Sequence, residues 1–273
     1  MKISPNKSRG FTLVELLVTI SIIALLSSII LVSLNGARQK GTVGSAIEFA
    51  DNVYHKLGVN TILSMNFNEG SGEPNDQTGN FIRRSGYTLN DTTYSNSTPF
   101  SDNGDSLSIG SSFDLPMINN YSVSTFNLTD QSGLTVSIWA NTLSTDNITN
   151  TAYNLYYITS NTPSSNSILQ GYYSNYYVIC KFLGNISGQS AVYMPSFNDG
   201  NWHNVTCSYD VNSGNLMLYV DGVLKSTTSV STAPGTVITG INNVLYVGSA
   251  GSGAGPFLGL IDNFQIFSGS IVE

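Results

Sequence analysis

The sequence predicts a mainly β protein: an antiparallel jelly-roll sandwich carried on one long N-terminal α-helix. Three observations lead there. Residues 16–34 are nineteen consecutive uncharged, mostly apolar residues, about 28 Å of helix at roughly 1.5 Å per residue, enough to cross a bilayer core. In "GTVGSAIEFADNVYHKLG" the apolar positions Val43, Ile47, Ala50, Tyr54 and Leu57 recur at spacings of three and four, one face of a continuing helix. After Gly58 the period drops to two, and short alternating runs separated by Gly, Asn, Ser and Asp turns fill the rest of the 273 residues, the pattern of a sandwich or jelly roll.

The elements follow in order. Helix from Phe11 to Leu57 is 47 residues, about 70 Å, with Gly58 as the stop. No proline interrupts it, so any softening falls on Gly36, Gly41 and Gly44, since glycine is the weakest helix former short of proline. His55 reads as a solvated residue at the helix end, favourable beside the last carbonyls. Strands are predicted in "TILSMNF", "SLSIG", "LTVSIWA", "YYVICKF", "AVYM", "WHNVTCSY", "LMLYV", "NVLYVGS" and "LIDNFQIF". In "NLMLYVDGVLKS" the pair Asp221-Gly222 suits a type I′ hairpin turn. Residues 141–200, rich in Asn, Ser, Thr and Tyr, read as enlarged loops and outer strands.

Charge narrows the function. Charged residues are 10% of the chain, against roughly a quarter in an average soluble protein. The first ten residues carry three positive charges and no negative one, whereas residues 58–273 carry fourteen acidic and four basic side chains. A body of net charge −10 argues against nucleic acid as a partner, and the basic leader would stay cytoplasmic beside a membrane span. Cys180 and Cys207 both lie in strand-like sequence. A bridge is permitted if the body is exported; two separate buried thiols are the preferred reading.

Glu15 is the anomaly, a carboxylate at the start of the apolar run, and an unpaired charge there costs several kcal/mol. The stretch "KSRGFTLVELL" resembles the prepilin motif of type IV pilins and type II secretion pseudopilins. The resemblance implies cleavage between Gly10 and Phe11 by a prepilin peptidase, N-methylation of Phe11, and Glu15 as the fifth mature residue. It also implies a partner: the new α-ammonium of Phe11 meets Glu15 of a neighbouring subunit, since a buried carboxylate is tolerable only when paired. The organisation implied is a leader over 1–10, a pilin helix over 11–57 and a head over 58–273.

Five blocks of the body, "LSMNFNEGSGEPNDQTGN", "SLSIGSSFDLP", "LTVSIWANTLS", "GNWHNVTCSYDVNSGNLMLYVDGVLKS" and "LYVGSAGSGAGPFLGLIDNFQIFSG", together resemble the laminin-G-like, concanavalin A-like jelly roll. The resemblance places Trp139, Trp202 and Tyr209 in the core and gives His203 a structural role. It implies one possible ion: Asp76 in "NDQTGN" and Asp262 in "GLIDNF" match positions that share Ca²⁺ in that family, although Ca²⁺ needs six to eight oxygen ligands. The simpler alternative makes Asp76 an Asx-turn residue and Asp262 an acceptor for a nearby N–H. The tyrosines of residues 154–182 are read as alternating positions on an outer strand, with sugar stacking as the alternative. Two histidines without a nucleophile or metal-ligand spacing give no catalytic constellation, and no paired carboxylates suggest glycan cleavage, so no enzyme is expected. The function expected is a pilus or pilus-like secretion subunit, held in the cytoplasmic membrane before assembly and extracellular afterwards. It displays a head for glycan or protein adhesion. The alternative is a membrane-anchored lectin-like module that never polymerises.

Overall fold

The computed structural model describes residues 10–72, 74–80, 93–100, 104–109, 133–142, 153–160, 169–174, 177–182, 188–230, 234–235, 243–248 and 257–271. Residues 1–9, the greater part of the expected leader, lie outside the described residues. The chain divides into two compact units, Met1–Gly44 and Ser45–Glu273.

One helix, α1, runs Leu13–Leu57 and ends at Gly58 in a one-turn 3-10 helix, Gly58–Asn60. In the first unit its apolar side chains from Leu13 to Leu34 are exposed. It is long and apolar enough to cross a membrane. Four hydroxyls in this run are satisfied within the helix. The hydroxyls of Thr19, Ser21, Ser27 and Ser28 donate to carbonyls three or four residues back at 2.7–2.8 Å, so none presents an unmet donor to an apolar surrounding.

The second unit is an antiparallel sandwich. Its strands are β1 Thr61–Met65, β2 Thr93–Ser95, β3 Ser106–Ile109, β4 Gly133–Thr142, β5 Tyr153–Ser160, β6 Leu169–Ser174, β7 Tyr177–Phe182, β8 Gly188–Tyr193, β9 Trp202–Asp210, β10 Asn215–Val220, β11 Val223–Ser229, β12 Asn243–Val247 and β13 Gly259–Ser268. One sheet has the order β11-β10-β9-β4-β13-β3-β2, with β1 also on β13; the other has the order β12-β5-β6-β7-β8. β13 serves two partners along one edge, pairing β3 through Gly259–Ile261 and β1 through Phe264–Phe267. A bulge between Asp262 and Gln265, with Asn263 at φ 41°, separates the two.

Alternation fixes which face meets which layer. Leu134, Val136, Ile138 and Ala140 of β4, Val205, Cys207 and Tyr209 of β9, and Leu216, Leu218 and Val220 of β10 face the second sheet. That sheet answers with Leu155, Tyr156, Ile158, Tyr173, Val178, Cys180 and Phe182. Gly171 is opposite Tyr156, and a Cβ there would overlap the Tyr156 ring. The segment expected to be enlarged loops and outer strands therefore supplies four of the five strands of the smaller sheet, β5 to β8, with β5, β6 and β7 in its interior.

The other face of the larger sheet is covered by the last turns of α1. Val53 and Leu57 pack with Met217 and Tyr219 of β10, Phe267 of β13 and Ile271. Since β9 and β4 lie between β10 and β13, the helix crosses them too. The buried helix positions are Ala46, Ala50, Val53 and Leu57; of the expected stripe, Ala50 and Leu57 face inward, Val43 and Ile47 are half-buried, and Tyr54 is exposed. Beneath it the strands present small polar residues that satisfy one another. Ser137 accepts from Asn204 Nδ2 (3.1 Å) and Thr206 Oγ1 (2.9 Å), and Thr135 Oγ1 and Ser208 Oγ are 2.9 Å apart.

Candidate functional site

Gly10 and Phe11 precede the first helical turn, and Phe11 is 74% exposed. Thr12 is the cap. Its backbone N–H and its hydroxyl each donate to Glu15 Oε2 at 2.8 Å, and Glu15 N–H donates back to Thr12 Oγ1 at 3.2 Å. This is a reciprocal capping box, which satisfies two of the orphan N–H groups at the helix start. The signal was legible as Thr-x-x-Glu ahead of an apolar run, and a reading that sends Glu15 only to a neighbouring subunit passes over it. The carboxylate thus has a partner inside its own chain.

A buried charge cluster surrounds His203 at the start of β9. Its Nδ1 is 2.8 Å from Asp221 Oδ2 and its Nε2 is 3.3 Å from Asp199 Oδ1. Asp221 belongs to the β10–β11 turn, where it (φ 53°) and Gly222 (φ 76°) adopt the left-handed conformation of a type I′ turn. Asp221 Oδ1 accepts the Asn204 N–H at 3.0 Å, and its own N–H donates to Asn204 O at 2.9 Å. Asp199 follows the 3-10 turn Pro195–Asn198, which is tied to β4 where Thr142 Oγ1 donates to Phe197 O at 3.0 Å. The Phe197 ring stacks on the imidazole, with centroids 5.3 Å apart. Burial alone pushes the imidazole down, but hydrogen bonds to Asp199 and Asp221, together with their charges, raise it to about 9. Burial likewise pushes Asp199 up, and the hydrogen bonds from His203 and Asn201 outweigh it and leave its carboxyl below the usual range. The cluster locks a loop and a hairpin onto β9.

Asp76 and Asp262 occupy two positions around β1 and β13. Asp76 Oδ1 accepts the N–H groups of Ser64 (2.9 Å) and Thr78 (3.1 Å), and Oδ2 accepts the Thr78 hydroxyl (2.6 Å). The Gln77 N–H donates to Ser64 O at 2.8 Å. Asp262 is buried at the β13 bulge and accepts the Asn263 N–H at 2.7 Å. Both match the simpler alternative of a turn residue and a local acceptor. Among the described residues no three His, Cys, Asp or Glu side chains form a group suited to a metal ion.

Trp139 and Tyr209 are fully buried and Trp202 nearly so. Trp139 packs edge-on to Phe100 at 5.5 Å, and Tyr209 lies 5.6 Å from Phe182. Cys180 of β7 and Cys207 of β9 form a disulfide, with Cα atoms 6.0 Å apart. The preference for two separate thiols is corrected here: both cysteines point into the space between the sheets, from facing strands, and the bond joins the layers. The tyrosines divide. Tyr156 and Tyr173 are core residues, whereas Tyr177 (42% exposed) and Tyr193 (61% exposed) stand on the outer face of β7 and β8, ring centroids 5.4 Å apart.

Set against known families, residues 118–272 match the profile of the Concanavalin A-like lectin/glucanases superfamily, more than half of the chain. The chain belongs to this superfamily. A second profile, the Prokaryotic N-terminal methylation motif, matches residues 5–31, so the prepilin motif and the lectin-like sandwich occur in one polypeptide. No functionally curated protein matches the chain. Similar solved structures include botulinum neurotoxin type C, whose cell entry depends on interaction with two ganglioside molecules (14% identity, TM-score 0.54, 80% of this chain and 50% of that one). Others are the binding domain of botulinum neurotoxin serotype G (14%, 0.52, 78% and 49%) and the binding domain of Paraclostridial Mosquitocidal Protein 1 (13%, 0.52, 78% and 50%). This chain spans about half the length of those chains, and at such identities the likeness shows the fold.

Proposed function

We propose that this superfamily member is a subunit of a type IV pilus or of a pilus-like secretion filament, with its sandwich displayed as an adhesive or ligand-binding head. The observation that carries the reading is the methylation motif over residues 5–31 in register with an exposed apolar helix from Leu13 to Leu34. Such a helix needs lipid or other helices around it, and assembly exchanges the first for the second. In this reading the cytoplasmic membrane holds the precursor with its head outside. A prepilin peptidase then cuts between Gly10 and Phe11 and methylates the new terminus, leaving a leader over 1–10, an assembly helix over 11–57 and a head over 58–273.

Glu15 then has two successive partners. Before assembly the Thr12 donors hold its carboxylate; in the filament the Phe11 ammonium of a neighbouring subunit supplies a full positive charge, which stabilises a desolvated carboxylate more than neutral donors do.

The test is the intact mass and N-terminal sequence of the surface form. A chain beginning at N-methylated Phe11 supports the reading. A chain that keeps Met1, or is cut after the apolar run, overturns it in favour of an anchored or secreted lectin-like module. Glu15→Ala should leave processing intact and strongly reduce filament yield; normal filaments from that variant would remove the proposed pairing.

A further inference from the structure

We propose that Arg38 and Lys40 of one subunit dock against Glu48 and Asp51 of another, a charge-matched contact made by the part of α1 beyond its apolar run. The inference rests on the filament reading and names a surface and its occupant: a second copy of this chain, parallel to the first and displaced along the helix.

Formal charge is scarce in α1. After Glu15 no charged side chain follows until Arg38, and the next are Lys40, Glu48 and Asp51. All four are exposed, and among the described residues none of them makes an ion pair. The usual intrahelical solution is missing too: none has a Lys, Arg, Asp or Glu of opposite sign three or four residues away. Glu48 and Asp51, three residues apart, instead place two like charges side by side, an unfavourable arrangement until a cation approaches from outside. They lie off the face formed by Ala46, Ala50, Val53 and Leu57 that is buried against the head. Gly36, Gly41 and Gly44 are a second observation. A Cβ at any of them would meet nothing within 4 Å, so this chain's own packing does not call for glycine, although each one weakens the helix. Helix without side chains at those positions lets another backbone come close.

The order of the charges sets the geometry. Along the helix the cations precede the anions, just as the Phe11 ammonium precedes Glu15. Between parallel helices, both contacts therefore need the subunit that supplies the cation to be displaced towards the head end. The separations from Lys40 to Glu48 and from Arg38 to Asp51 are eight and thirteen residues, about 12–20 Å at roughly 1.5 Å per residue. Bringing Phe11 level with Glu15 takes four residues, about 6 Å. The two displacements share a sign and differ in length, so they belong to different neighbours in one helical array. Each subunit makes the charge contact twice, once with its bases and once with its acids. A single exposed ion pair is weak; repetition at every subunit makes it matter to the polymer.

The experiment compares filament yield and the N-terminus of the surface form for the wild-type full chain and three variants. One neutralises the bases (Arg38→Gln/Lys40→Gln), one neutralises the acids (Glu48→Gln/Asp51→Asn), and one exchanges them (Arg38→Glu/Lys40→Asp/Glu48→Lys/Asp51→Arg). Cleavage before Phe11 and unchanged melting in every variant show that topology, processing and fold are intact. The expected result is a filament yield at least fivefold lower in each neutralised variant and within about twofold of wild type in the exchange, which keeps the same displacement with the signs swapped. Normal yield from either neutralised variant overturns the contact. A loss confined to the bases assigns Arg38 and Lys40 to lipid headgroups beside the span and overturns it as well. So does an exchange as poor as the neutralised proteins. Wild-type filaments beside indifferent variants strike this contact alone, whereas a wild type that is not cut before Phe11 or forms no filament strikes the filament reading itself.

Discussion

His203 makes the head's stability depend on alkaline pH. The imidazole sits between Asp199 and Asp221 and is raised from 6.5 to about 9. A group whose folded value is raised stabilises fully below its unfolded value, and loses that contribution as pH climbs through the folded one. The stabilisation is therefore complete below about pH 6.5 and fades towards pH 9 and above. At about 1.4 kcal/mol per pH unit, a rise to about 9 is worth on the order of 3 kcal/mol on the acidic plateau. Roughly 2 kcal/mol of it disappears between pH 7 and pH 9. The lowered carboxyl of Asp199 acts in a separate window: its contribution is present above the ordinary carboxylate value and is lost as pH falls through it. For a head of this size, 2 kcal/mol is a change in Tm of roughly 4–8 °C. The assay is thermal unfolding of the full chain in detergent, wild type against His203→Gln, from pH 6 to pH 9.5. The wild-type Tm should fall by that amount more than the variant's over pH 7–9, and the variant should be the less stable at pH 6, where Asp221 has lost its cation. Parallel curves for the two proteins would refute the charged clamp.

Two further perturbations bear on the sandwich. The Cys180–Cys207 bridge closes a loop of sequence separation 27, worth about 3–4 kcal/mol by loop-closure entropy. Cys180→Ala/Cys207→Ala should therefore melt roughly 7–14 °C lower, close to the wild type in strong reductant. Equal melting of oxidised wild type and variant would remove the bridge from the account. Asp76→Ala strips acceptors from Ser64 N–H and from both donors of Thr78 and should cost about 2–3 kcal/mol. Asp76→Asn, which keeps one carbonyl acceptor, should cost less. Calcium in place of EGTA should leave the wild-type Tm unchanged; a rise abolished by Asp262→Asn would restore the shared ion.

Most strands were legible because one of their faces meets an apolar layer. "LTVSIWA" and "LMLYV" alternate so clearly that their inward residues could be named at once. β5 and β6 were harder. Gly171 exists to admit the Tyr156 ring, and a glycine within a tyrosine-rich run reads as a loop until its partner strand is known. The Thr12–Glu15 box was written in plain local sequence, but the prepilin resemblance drew all attention to the glutamate's distant partner and away from the residue three positions before it.

The hardest feature to read was the face under the helix. Thr135, Ser137, Thr206 and Ser208 are as buried as the leucines on the opposite side of the same strands, yet by composition they read as solvent-facing. Burial is tolerable because each hydroxyl or amide finds another within the row, and a satisfied polar network carries no desolvation penalty of the kind an orphaned group does. The helix above this face is buried at Ala46, Ala50, Val53 and Leu57, and Val53 and Leu57 meet Met217 and Phe267. Two positions of the hydrophobic stripe, Ala50 and Leu57, are therefore inward as expected, while at the next turn the smaller Val53 is buried and the phenol of Tyr54 is left outside.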